Sequence, residues 1–149
     1  MLALYDRTFA WLASRLPEGL MQLVVRVALA GVFWRSGRTK IEEGSWFTIS
    51  ENTRFLFQEE YSGVPLPSDF AAVMATVSEH LFPFLLVIGL FTRLSAAALL
   101  AMTMVIQIFV YPDAWWPVHS LWVALALVLI VRGGGFLSLD AALVKRTRR

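Results

Sequence analysis

Four apolar segments, each close to the length that crosses a bilayer, leave this chain few ways to fold. They run from about Leu20 to Trp34, Phe70 to Phe91, Leu94 to Tyr111 and Val118 to Val131. At about 1.5 Å per helical residue each reaches or nears spanning length once its flanks are added. Hydrocarbon offers no water to backbone amides, so such segments cross as helices. The expected fold is an all-α membrane protein, with one four-helix transmembrane bundle over residues 18–143. Composition agrees: hydrophobic residues make up 58% of the chain and charged residues 16%, where soluble domains sit nearer a half and a quarter.

The connections are uneven. Thr92 and Arg93 form a tight hairpin between the second and third segments, and "PDAWWP" joins the third to the fourth. A polar outer loop, about residues 36–69, separates the first two and is too long for an ordinary connection. Within it, "ISENTRFLFQEEY" predicts a short helix capped by Ser50 and ended by "GVPLP". Ahead of the bundle, Leu2, Tyr5, Phe9, Leu12 and Leu16 recur at three- and four-residue steps. That spacing predicts an amphipathic helix over residues 1–17 lying in the membrane interface. Residues 144–149 form a basic tail.

Lysine and arginine set the orientation. The side holding both termini and the Thr92–Arg93 hairpin carries Arg7, Arg15, Arg93, Arg132, Lys145, Arg146, Arg148 and Arg149; the other carries Arg35, Arg38, Lys40 and Arg54, offset by five glutamates. Both termini are therefore expected in the cytoplasm, with the protein in the cell membrane. The chain has no cysteine, which excludes thiol chemistry, disulfides and cysteine-held iron–sulfur clusters. Zinc spacings, nucleotide loops and a nucleophile–histidine–acid set are absent too, so no metal site and no resident cofactor are evident. The basic residues are not interleaved with surface aromatics, which argues against nucleic acid. The expected partner is the lipid bilayer.

One segment, "VSEHLFPFLLVIGLFTR", carries Glu79 in apolar surroundings. A carboxylate there costs about 3 kcal/mol on an insertion scale, so it calls for a partner or a purpose. Counted from the cytoplasmic end, Arg35 lies roughly 22 Å up, Glu79 roughly 18 Å, and Gln107 and His119 roughly 20 Å. Four helices thus bring one polar side chain each to a similar level. Glu79 is expected to face Arg35, Gln107 or His119, with Arg38 and Lys40 at the mouth. Arg26, roughly 9 Å up, is a second candidate counter-ion. A plainer reading stands beside this one: intramembrane polar residues also glue helices together, and Arg35 can snorkel to the interface. His80 is turned by about 100° from Glu79, which disfavours a bis-histidine haem within one chain.

Taken in order, "VVRVALAGVFWRSGRTKI", "SEHLFPFLLVIGLFTRLSAAALL" and "WVALALVLIVRGGGFLSLD" resemble the DoxX family of membrane proteins. The likeness rests on Arg26, Gly37 and Lys40; on Glu79; on Gly89, Thr92 and Arg93; and on Gly133, Gly135, Ser138 and Asp140. It implies a link to membrane oxidoreductase systems, some of which handle quinones, but no activity for the isolated chain. The expected function is an accessory subunit of a redox-linked system that binds a quinone or another lipophilic molecule at the polar cluster, with a membrane or redox protein or a second copy as partner. A small-solute carrier or an assembly scaffold is the alternative.

Overall fold

The structure is a computed structural model that describes residues 2–15 and 17–147, with the backbone alone for Leu2, Ala3, Leu4, Thr8, Leu12 and Arg15. Leu16 of the amphipathic pattern and Arg148 and Arg149 of the basic tail lie outside the described residues. Seven α-helices are described in chain order: α1 (Leu2–Arg15), α2 (Glu18–Thr39), α3 (Glu51–Glu59), α4 (Ser68–Ile88), α5 (Thr92–Phe109), α6 (Ser120–Arg132) and α7 (Leu139–Thr147). Extended pairing among the described residues is limited to one bridge, Ile41 with Ile49, which closes the loop after α2.

Among the described residues three helices are long and apolar enough to cross a membrane: Ser68–Ile88, Thr92–Phe109 and the segment Pro112–Arg132. The third begins irregularly, with a 3₁₀ turn at Pro112–Ala114 and a π-turn at Trp115–His119. Pro112 suits a first helical position, but Pro117 has no amide hydrogen to offer the Asp113 carbonyl four residues back, so a regular helix cannot run through it unbroken. The α2 helix matches the three in length but carries Glu18, Arg26, Arg35 and Arg38. It opens before Leu20 and continues past Trp34, so it is longer than the apolar stretch alone indicated.

The core lies where α2, α4, α5 and α6 meet. Leu29, Ala30, Phe33, Leu86, Ala96, Leu99, Ala126 and Leu129 are buried there together. On α2 the buried positions are Gly19, Gln22, Arg26, Leu29, Ala30, Phe33 and Gly37, a stripe at three- and four-residue steps that marks one helical face. A side chain at Gly37 would run into the His80 ring and the Glu79 Cβ. The glycine thus lets α2 and α4 approach closely beside Glu79.

At the opposite end of the bundle, a knot of hydrogen bonds ties the chain ends of three helices. Buried Arg26 donates from Nε to the Leu86 carbonyl (2.7 Å), from Nη2 to Val87 (2.6 Å), and from Nη1 to Gly134 (2.9 Å) and Leu137 (2.8 Å). It therefore satisfies carbonyls that the end of α4 and the following glycine loop leave without helical partners. The Asp140 carboxylate accepts from the amides of Phe91 (2.8 Å) and Thr92 (2.9 Å), capping the start of α5, where a negative charge is favoured. Gly89 ends α4 at φ 71°, a left-handed geometry that glycine adopts without strain. Arg93 reaches the Val131 carbonyl at 3.2 Å.

The α1 helix covers Leu2–Arg15, and Tyr5 and Phe9 pack ring to ring at 4.5 Å on one of its faces. The α3 helix matches its prediction: Ser50 Oγ accepts from the Thr53 amide at 3.2 Å as an N-cap. Phe57 of α3 is buried against Ala71 and Ala72 of α4, which seats α3 across the first turns of α4.

Candidate functional site

The site is built from the junction of α2, α3 and α4. Lys40 follows the last turn of α2, and its backbone carbonyl accepts from the Ser50 amide (3.0 Å) and from Thr53 Oγ1 (3.1 Å). The capping residues of α3 thereby hold the main chain of Lys40 and direct its side chain into the bundle. There Lys40 Nζ lies 2.8 Å from Glu79 Oε2, the two side chains being 7% and 3% exposed. Lys40 also donates to Ser36 Oγ, one turn back, at 3.0 Å. A carboxylate has about four lone-pair sites, so the Lys40 contact leaves the acid with acceptor capacity to spare.

Pro83 sits inside α4. A proline has no amide hydrogen to offer the carbonyl four residues earlier, which here is that of Glu79. The break in the α4 ladder therefore falls at the acid itself.

Above the pair lies a cavity of about 350 Å³. Lys40 and Glu79 are its charged residues; Phe57, Tyr61, Phe82 and Met102 are among its apolar and aromatic walls, and Ala98 and Ala101 line it from α5. Phe57 and Tyr61 stack at 4.3 Å. Burial, then the neighbouring Tyr111, Glu79 and Glu60, push the Tyr61 hydroxyl well above its ordinary range, so it remains protonated. Tyr111 donates to the Glu60 carboxylate, and that bond, followed by burial, pushes its hydroxyl up to about 12. This contact ties the end of α3 to the end of α5 at the rim.

The expected polar cluster divides into separate groups. Lys40, placed at the mouth by the sequence, is the partner of Glu79. Arg35 is exposed on α2, and Arg38 stacks over the Trp46 ring at 4.8 Å. Arg26 is bound by carbonyls at the other end of α2 and does not reach the acid. Gln107 and His119 pair with each other: His119 Nδ1 donates to Gln107 Oε1 at 2.7 Å, and Gln107 Nε2 donates to the Pro112 carbonyl at 2.6 Å. That pair closes the irregular start of the Pro112–Arg132 segment and does not line the cavity. Phe82 lines the cavity, whereas Trp122 packs on Phe33 and His119 and Trp116 is exposed. Sequence reasoning missed Ser36, Phe57 and Tyr61. The first was findable, since it lies four residues before Lys40 on the same helical face.

Lys40 and Glu79 of the pair, and Arg26, Gly89, Thr92 and Asp140 of the end knot, are among the residues that the family resemblance picked out, and a profile of the DoxX family matches residues 21–112. The chain belongs to the DoxX family. A similar protein from Haemophilus influenzae, described as an uncharacterized protein, is 32% identical over 143 residues and matches 86% of each chain. No solved structure matches this DoxX protein. In this DoxX protein Gly37, Lys40 and Glu79 meet at one end of the bundle, while Arg26, Gly89, Thr92 and Asp140 meet at the other. Its pattern residues thus serve two places, a cavity floor and a structural knot.

Proposed function

We propose that this protein is a small multi-pass membrane subunit that binds a lipophilic molecule with a polar head, and that it serves a redox-linked system in that capacity. The observation that carries the reading is the buried Lys40–Glu79 pair at the floor of an apolar, aromatic cavity. Apolar walls with a few convergent polar groups are the usual makeup of small-molecule sites. A quinone is the class that the family resemblance favours. The chain would bring the molecule to a partner protein, since it carries no cysteine and no evident cofactor motif of its own. A carrier role has less support: the Arg26 end is occupied by its own hydrogen bonds, and a solute would need a polar route through it.

The test is extraction of the purified protein with organic solvent and mass spectrometry of the extract. A lipophilic molecule, quinone being the first expectation, should accompany the parent protein and be lost from Ala101→Trp, which fills the cavity wall. An extract holding only bulk lipid from both would overturn the reading.

We also propose that α2 is a fourth span, that α1 lies in the interface, and that both termini face the cytoplasm of a cell membrane. Exposed Leu20, Met21, Val24 and Val27 give α2 an apolar outer surface suited to lipid. The absence of native cysteine allows clean labelling. Single cysteines at Ser14 and Thr147 should react from the cytoplasm and one at Asn52 from outside; all three positions are exposed. Thr53, the neighbouring alternative, is buried against Lys40 and would report poorly. Labelling of Asn52 and Thr147 from the same side would refute the even number of spans.

A further inference from the structure

Glu79 Oε2 is buried, lines an apolar cavity, and has the Lys40 ammonium 2.8 Å away. A carboxylate has about four lone-pair sites, more than the ammonium fills, so the site has room for a ligand that brings a donor. Lys40 complements it, because an ammonium has three N–H groups and here gives one to Ser36 Oγ and directs one at the acid. The third is available to an acceptor on the same ligand. A hydroxyl can donate and accept from one atom. A bare carbonyl or ether can use the ammonium but brings the carboxylate no donor.

The walls specify the rest of the molecule. Phe57, Tyr61 and Phe82 offer flat apolar faces to a ring. Between α4 and α5 the lining mixes larger side chains with small ones, Ala75 and Ser78 on one helix and Ala98 and Ala101 on the other. Ala101 and nearby Met74 are exposed on the bundle surface, so the cavity opens sideways through this cleft. An aliphatic tail would leave by that route into the surrounding apolar phase.

We propose that the site takes a neutral ring-hydroxyl amphiphile, a phenol-type head whose hydroxyl sits between Lys40 and Glu79 and whose tail exits between α4 and α5. This rests on the lipophile-binding reading above and narrows it to head groups that donate. The experiment titrates the purified full chain in detergent micelles with para-dodecylphenol and with its methyl ether, by calorimetry at equal micellar mole fraction. The two probes share ring and tail; in the ether a methyl group replaces the hydroxyl hydrogen, which removes the donor.

The phenol should bind roughly tenfold more tightly than the ether, the scale of one hydrogen bond to a charged acceptor. The double variant Lys40→Met/Glu79→Leu should bind both probes alike, and Ala101→Trp should lose both. Equal binding of phenol and ether to the parent protein would overturn the hydroxyl inference while leaving a lipophile site standing. Binding of neither would remove the underlying reading as well. A phenol preference that survives in the double variant would show that the head is read elsewhere, and unchanged binding to Ala101→Trp would remove the proposed exit.

Discussion

Replacement of Arg26 by alanine is expected to cost about 4 kcal/mol or more, enough to deprive a protein of ordinary stability of most of its margin. The guanidinium is 1% exposed and serves four carbonyls at once, two at the end of α4 and two in the glycine loop before α7. Deleting it removes a donor from all four, the Leu86 and Gly134 bonds being buried and the other two part-buried, and each buried orphan costs on the order of 1–3 kcal/mol. Leu86 is partly compensated, since its carbonyl also accepts from the Gly89 amide at 3.1 Å; the others have no such bond among the described contacts. Lysine should rescue little, because a point-like ammonium with three donors cannot span the fork that Nε, Nη1 and Nη2 fill. The measurement is the melting temperature of detergent-solubilised protein, read by loss of a monodisperse chromatographic peak. An Arg26→Ala protein that melts with the parent would mean that the knot does not hold the helix ends together.

The helices were legible because their signals are local. Apolar runs of the right length marked Ser68–Ile88 and Thr92–Phe109, and Ser50 announced α3 by being a capping residue ahead of a polar–apolar pattern. Glu79 was legible as well, since a carboxylate amid Leu, Phe and Val demands a partner. Its partner was misjudged because depth alone was counted. Arg35 stands at a comparable level, but the buried face of α2 runs through Arg26, Leu29, Phe33, Gly37 and on to Lys40. At about 100° per residue that stripe passes by Arg35 and Arg38 and includes Lys40. Reading angle together with depth would have selected the lysine.

The Arg26 knot was hidden for a different reason. Its partners Gly134 and Leu137 lie more than a hundred residues away in the chain, and no periodicity reports a contact across that separation. The Gln107–His119 bond shows the intermediate case. Both residues were expected at one level and do meet, yet they serve the irregular turn at Trp115–His119 and not the acid. Equal depth on neighbouring helices brings polar groups within reach, and the rotation of each helix then decides which of them pair.

Substitution of Glu79 by alanine is expected to destabilise the protein by roughly 3 kcal/mol or more, and the double variant Lys40→Met/Glu79→Leu to recover part of that loss. The single variant leaves the Lys40 ammonium with Ser36 Oγ as its described hydrogen-bond partner inside the bundle, whereas the double variant removes both charges and refills the space with apolar atoms. The contrast depends on where the ammonium can go. A lysine arm of four methylenes at a helix end ordinarily swings to water and escapes the penalty. Here Ser50 and Thr53 bind its backbone carbonyl, and α3 lies over α4 through Phe57, so escape requires that the α3 segment open first. The expected loss is therefore the smaller of two costs, the unpaired charge or the displaced segment. Protection of α3 against a protease separates them. Lower stability with α3 still protected means the ammonium stays trapped, and lower stability with α3 cleaved means the segment has opened to release it. A Glu79→Ala protein as stable and as protease-resistant as its parent would show that the pair does not hold this end of the bundle, and the cavity floor would lose its proposed role.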